Sequence, residues 1–288
     1  MEVLVFGIVR SFTYILVAVG FSFVFGISKI SNFAHGGFYV LSSFLAWGLY
    51  SHLGWPYPIV IVFTIVSTAG LGALMYWLIL YRLRGQEISE VIATFSVGIG
   101  ILEFFRWQRT SEYFCSLPCF IDGGMELGGV FIDYQRLAIC IMGILLVSFL
   151  WFFTHRTKLG LACRGMAQER DTSLCYGIDV DLVAMLSLAI GSALVAVAAI
   201  TISPLGTISI NEGFQVIIFS LAIGVVGGLE STLGIIVASI IIGFAQTIVT
   251  LYVDSSLLMV VPLAAIVIVL AIKPSGLFGN FKELEERV

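Results

Sequence analysis

The residues able to hydrogen-bond or titrate are few in this chain, and the most suggestive group is in the stretch KISNFAHGGFY, Lys29 to Tyr39. Asn32 and His35 are followed there by Gly36 and Gly37. An amide and an imidazole beside paired glycines suit one task well: satisfying backbone groups freed where a helix is interrupted. Unwound backbone at membrane depth persists only where it is buried in protein or lines a wet cavity. Broken helices of this kind recur where transporters build a solute path. The same spacing also fits a plain polar turn between two helices, with His35 solvated or capping, and at this level both readings stand.

Enzyme chemistry finds little support. The three histidines, His35, His52 and His155, are far apart and none has a carboxylate at a telling spacing. No Gly-Lys dipeptide occurs, so there is no phosphate-cradling loop, and neither H-E-x-x-H nor G-x-S-x-G is present. We expect no catalytic residues, no metal ligands, and no cofactor on this chain. Of the five cysteines, Cys115 and Cys119 form a C-x-x-x-C pair without the further ligands a zinc site needs. A disulfide there, in a loop facing an oxidising side, and ordinary membrane-protein cysteines remain alternative readings. Glu90, Glu103 and Glu230 are the acids near apolar segments that ion coupling would use.

The elements that hold these residues must be membrane helices. The chain is 59% apolar and 11% charged, too little polar surface for a soluble domain of 288 residues. Gly36 to Tyr81, Leu182 to Asn211, Ser231 to Val253 and Ser255 to Ile272 contain no Asp, Glu, Lys or Arg. A helix needs about 20 apolar residues to cross the hydrocarbon layer, and runs apolar on every face exclude alternating barrel strands. The expected fold is an all-α polytopic membrane protein of about eight or nine segments, some short or broken. They lie near 3–27, 36–52, 58–81, 88–105, 134–154, 179–202, 213–229 and 231–252, with a ninth near 255–273. The 88–105 and 213–229 segments are short and glycine-interrupted, which marks them as re-entrant or broken. The first stretch lacks a basic leader and a cleavage site and reads as a membrane helix. We expect one domain over 1–288, with the tail NFKELEERV at the surface.

Cations set the orientation. The largest polar loop, 155–181, holds Arg156, Lys158, Arg164 and Arg170. Alternation puts Lys29, Arg82, Arg84, Lys273, Lys282 and Arg287 on the same side, ten of the fourteen Lys and Arg residues. That side is therefore cytoplasmic, and the 107–134 loop, the 204–212 turn and the amino terminus face outward. Within 155–181, GMAQERDTSLCYG has the pattern of a short amphipathic helix with Met166, Ala167, Leu174 and Tyr176 as its apolar contacts. Asp171 and Thr172 suit an N-cap or a break within it. Such a loop docks a partner protein, or else serves as a solvated connector. Gly224 and Gly228 have the four-residue spacing of close helix packing, and Gly98 and Gly100 lie in SVGIG.

These points together resemble the permease subunits of bacterial and archaeal ABC importers for branched-chain amino acids, the Liv-type permeases. The family's INFAHG after the first span reads Ile30-Ser31-Asn32-Phe33-Ala34-His35-Gly36, with one extra residue after Ile30. Its inner loop is matched from Arg164 to Asp171 and from Leu174 to Ile178. Its glycine-rich turn is matched from Phe219 to Gly234, and its P-x-G-L close by Lys273 to Gly279. The resemblance runs in order along essentially the whole chain. The chain departs from the pattern at Ala198-Ala199, where the family has Ala-Gly, and at Glu230, where it has glycine.

The resemblance implies a transmembrane permease of an ATP-driven importer in the plasma membrane of a bacterium or archaeon. It implies a second permease subunit, two cytoplasmic ATPase subunits and an extracytoplasmic solute-binding protein, with ATP bound by the partner subunits and no nucleic acid involved. The 155–181 loop would couple to the ATPase through Arg164, Ala167, Asp171 and Gly177. The substrate path would be lined near Asn32, His35, Gly36, Gly98 and Gly227. The solute is a branched-chain amino acid or a similar small polar molecule, urea and short amides included. A secondary transporter or channel acting without an ATPase, or a non-transporting scaffold, are the competing readings.

Overall fold

The computed structural model describes residues 1–108, 115–121, 123–127 and 129–279. The charged tail 280–288 and positions 109–114 of the expected outer loop lie outside the described residues. Helix α1 (Glu2–Ser28) is the axis of the fold. From Tyr14 to Ile27 it is buried on nearly every face, as a helix apolar all round must be when protein rather than lipid surrounds it. Around it pack α5 (Tyr134–Arg156), α8 (Val180–Ile202), α9 (Glu212–Gly227) and α10 (Thr232–Tyr252). Helices α2 (His35–Ser51), α3 (Tyr57–Leu83) and α4 (Glu87–Trp107) form a second group that packs on α8 and α9.

Direction alternates along the chain. Arg10 of α1 donates to the Thr250 hydroxyl at 2.9 Å, and at the far end of the same helix Lys29 pairs with Glu230, so α10 runs antiparallel to α1. Arg84, after α3, pairs with Asp181 at the start of α8, and Tyr76 donates to the same carboxylate at 2.9 Å. These ion pairs gather at one end, the basic end, together with α6 (Lys158–Gln168) and α7 (Arg170–Cys175). Helix α3 widens to a π turn at Tyr76–Leu80, just where it approaches that end.

Among the described residues seven helices are long and apolar enough to cross a membrane: α1, α3, α4, α5, α8, α10 and the run Ser255–Ile272 that ends in α11 (Val260–Ile272). Helix α9 is a shorter apolar helix of 16 residues, and α2 has 17. The expectation of a broken 88–105 segment is corrected: α4 is an unbroken helix of 21 residues, and of its glycines Gly98 serves packing. The interruption falls instead between α1 and α2. In α11 only Pro262 is fully buried; Ala265, Ile266 and Val269 are half-buried against the core, and Val260, Val267 and Ile268 face outward. A short antiparallel hairpin, β1 (Gly124–Leu127) with β2 (Val130–Asp133), precedes α5. Its strands are too short to register as a pattern in sequence, and Gly129 makes the tight turn at φ +83°.

Close approach is concentrated at small residues. A Cβ on Gly191 of α8 would lie 2.2 Å from Val24 Cγ2 and 3.0 Å from the Gly20 carbonyl of α1, so the two backbones touch. We expect Gly191→Ala to destabilise the purified protein by about 1–3 kcal/mol, the usual range for overpacking. Gly70→Ala, whose Cβ would meet nothing within 4 Å, should be near neutral. Thermal unfolding in detergent compares them, and equal melting temperatures would contradict the packing.

Candidate functional site

The interruption after α1 is built into the protein interior. Lys29 ends α1 in the left-handed conformation, φ 56°, and its N–H donates to the Phe25 carbonyl at 2.9 Å. The chain then turns back along α1 instead of leaving it. By Asn32 and His35 it is fully buried, with each side chain 1% exposed. His35 Nε2 donates to the Val17 carbonyl at 2.9 Å. Val17 lies roughly 16 Å along α1 from Ser28, at ~1.5 Å rise per residue. Helix α2 therefore begins well below the basic end, which is why it is short.

Several backbone groups of this re-entrant stretch find partners in side chains. The Asn32 side chain accepts from the Ala34 N–H at 3.1 Å, closing an Asx turn. Its carbonyl accepts from the His35 N–H at 3.2 Å. Thr94 of α4 donates to the Ser31 carbonyl at 3.1 Å and accepts from the Phe33 N–H at 3.3 Å. One turn on, a Cβ at Gly98 would meet the Phe33 carbonyl at 3.0 Å and Ala34 Cα at 3.1 Å. Gly36 makes the closest approach, since a Cβ there would lie 2.0 Å from the Gly213 carbonyl of α9. At the break itself two buried polar atoms have no partner among the described residues, Asn32 Nδ2 and His35 Nδ1. One is a donor and the other, with Nε2 donating, an acceptor.

The structure thus brings together Asn32, His35, Gly36 and Gly98 of the expected path. Gly227 stands apart: it closes the α9–α10 turn, where its Cβ would lie 2.5 Å from the Gly234 carbonyl. The Gly224/Gly228 pair does not form the expected helix-packing stripe, since Gly228 lies beyond α9 at φ +98° and packs on Gly279. Gly100 faces open space. Sequence reasoning missed Thr94, although a hydroxyl one helical turn before Gly98 was the available signal. Phe33, at the break, lines an apolar groove of about 250 Å³ with Phe95, Phe214, Ile217, Leu263 and Ile266.

At the basic end a cleft of about 130 Å³ joins the break to the loop unit. Lys29 and Ile30 from the break, Tyr76 and Arg84 from α3, Glu90 from α4, and Arg170 of α7 line it. The loop forms two helices rather than one. Thr157 caps α6, its hydroxyl accepting from the Gly160 N–H at 2.9 Å, and extended Glu169 separates α6 from α7, so neither Asp171 nor Thr172 is the N-cap. Cys163, Met166 and Ser173 turn inward. Arg164, Asp171 and Gly177 are exposed and Ala167 is half-buried, with Leu161, Leu174 and Tyr176 exposed among them.

Burial pushes the Cys163 thiol up to about 11. Only the thiolate is nucleophilic, so roughly one Cys163 thiol in a thousand is reactive at pH 8. Maleimide at pH 8 followed by peptide mapping should label exposed Cys175 and leave Cys163 unmodified until the protein is denatured. Equal labelling of the two would contradict the packing of α6.

Residues 3–271 match the family model described as branched-chain amino acid transport system / permease component. The chain is 27% identical over 295 residues to the high-affinity branched-chain amino acid transport system permease protein BraD of Pseudomonas aeruginosa, covering 97% of this chain and 96% of that one. It is 25% identical over 292 residues to the corresponding permease protein LivH of Escherichia coli K12, covering 95% and 94%. Among solved structures, PsaBC from Streptococcus pneumoniae in complex with Fab shares the fold, with a TM-score of 0.54 and 12% identity over 96% of this chain and 94% of that one.

Proposed function

We propose, for a chain that belongs to the family of branched-chain amino acid transport system permease components, that it is the membrane-spanning subunit of an ATP-driven importer. Its cargo would be a branched-chain amino acid or a similar small polar solute, carried inward across the plasma membrane of a bacterium or archaeon. The observation that carries this reading is the break 29–34, buried at Ile30, Asn32 and Ala34, held by Thr94 of α4 and by the bond of His35 to α1, and connected through one cleft to an exposed helical pair.

In this reading the basic end is cytoplasmic, in keeping with the positive-inside rule. The α6–α7 unit presents Leu161, Leu174 and Tyr176 beside Arg164 and Asp171, an apolar patch edged by charge that suits a groove on an ATPase subunit. Arg164, Ala167, Asp171 and Gly177 form the coupling surface. Closure of two cytoplasmic ATPases on ATP would displace α6–α7, and Arg170 would carry that displacement across the cleft to Lys29 and the break. A second permease subunit would complete the path, and an extracytoplasmic binding protein would deliver the solute. Asn32, His35, Gly36 and Gly98 form the gate of the path. Gly227 acts at its margin by fixing the turn that places Glu230 against Lys29.

Radiolabelled leucine uptake by the reconstituted complex tests both halves. Asn32→Ala and His35→Ala should each lower uptake about tenfold or more with assembly intact, since each removes a partner from buried backbone. Full uptake in both would make these residues scaffolding. Replacing Arg164 and Asp171 together should abolish ATP-stimulated uptake while the permease still folds. Uptake by the purified chain alone, without an ATPase, would overturn the importer reading.

A further inference from the structure

The break is not the only polar feature enclosed by these helices. At the end of the fold opposite the basic end, the chain does not pass directly from α8 to α9. It forms a 3-10 turn, Ser203–Leu205, then dips inward with Ile208 and Ile210 buried and the Ile208 N–H donating to the Cys115 carbonyl at 2.8 Å. Helix α9 consequently starts at depth, and its first residue is Glu212.

Glu212 is partly buried, and among the described residues no Lys or Arg pairs with its carboxylate and no hydrogen bond is made to it. One residue on, Gly213 sits against Leu102 and Val40. A carboxylate withdrawn from water in such a setting is costly unless a cation meets it. The first turn of α9 offers it a favourable dipole but no counter-charge.

The α2 residues beside this turn carry hydroxyls. Val40 packs on Gly213 of the same first turn, and its neighbour Tyr39 lies within electrostatic reach of Glu212. The Ser203 hydroxyl is 2.8 Å from that of Ser43, one turn further along α2. These hydroxyls are positioned by the interior and can share protons with an incoming donor. The only cation in the proposed cargo is the α-ammonium of the amino acid.

We propose that Glu212, supported by the Tyr39 hydroxyl, receives the α-ammonium group of the transported amino acid on its way to the break. The assignment rests on the amino-acid import reading and adds to it the group that separates amino acids from uncharged solutes such as urea and short amides. Glu212 acts as a recognition residue, not as a catalytic one.

The test uses the full complex in nanodiscs, with tritiated leucine binding as the readout. Unlabelled leucine and leucinamide, which keep the ammonium, should displace the label. 4-Methylpentanoate, which lacks it, should not. Glu212→Gln should weaken leucine binding about tenfold or more, the scale of losing one partner of a desolvated charge pair. Glu212→Asp should retain most of it, and Tyr39→Phe should give a smaller loss. Melting of each complex, followed in parallel, separates loss of recognition from loss of fold. Wild-type binding in an assembled Glu212→Gln complex, or displacement by 4-methylpentanoate as effective as by leucine, would overturn the assignment. If Glu212→Gln does not assemble, the Glu212→Asp and Tyr39→Phe affinities and the displacement series decide it by the same criteria. Absence of leucine uptake by the wild-type complex would instead sink the import reading itself.

Discussion

Every backbone amide and carbonyl withdrawn from water must find a partner, and in a bilayer a regular helix is the simplest way to provide one. The rest of this structure depends on how that constraint is met where it is broken, at residues 29–34. The stretch borrows its partners from Asn32 within itself, from Val17 of α1 and from Thr94 of α4. Remove those contacts and the stretch would have to leave the interior, and α2 would lose its starting level. The glycines at 36 and 98 follow from the same requirement, because only bare backbone lets α9 and α4 come close enough to enclose it.

The consequence is a local structure that no single element owns. Four helices fix the break, so a shift of any of them changes its fit. At its basic edge the break begins with a strained residue: Lys29 holds φ 56°, which costs a side-chain-bearing residue roughly 1–2 kcal/mol. Its partner Glu230 occupies the α9–α10 turn. The pair is half-exposed and adds little stability. Its effect is geometric, since it ties the end of α1 to the α9–α10 turn.

Much of this was legible in the sequence, and the reasons differ by residue. The membrane helices were readable because charge-free runs of that length have few other uses. Asn32, His35 and the paired glycines stood out because polar residues are rare in such a composition. Thr94 did not, since one hydroxyl in an apolar run is usually satisfied by its own helix, as Ser96 is by the Ile92 carbonyl at 2.7 Å. Gly98 and Gly227 looked alike on the page, and only tertiary contact shows that one covers the break and the other a turn. Glu212 was hidden at the head of a segment, where an acid is ordinary; its significance comes from a dip in the chain that no local pattern encodes.

The π turn in α3 adds one further property. A wide turn inserts a residue into the helical ladder without breaking it, and such insertions give way more easily than regular α-helix. In α3 it separates an upper cylinder, clamped to α8 through Gly72 and Ser192, from a lower stub that carries Arg84 into the cleft. The stub is thus a flexure in an otherwise stiff rod. Any displacement of Asp181 and the neighbouring loop would reach Arg84 first, below the stripe of Val60, Thr64, Thr68 and Gly72 that seats the helix.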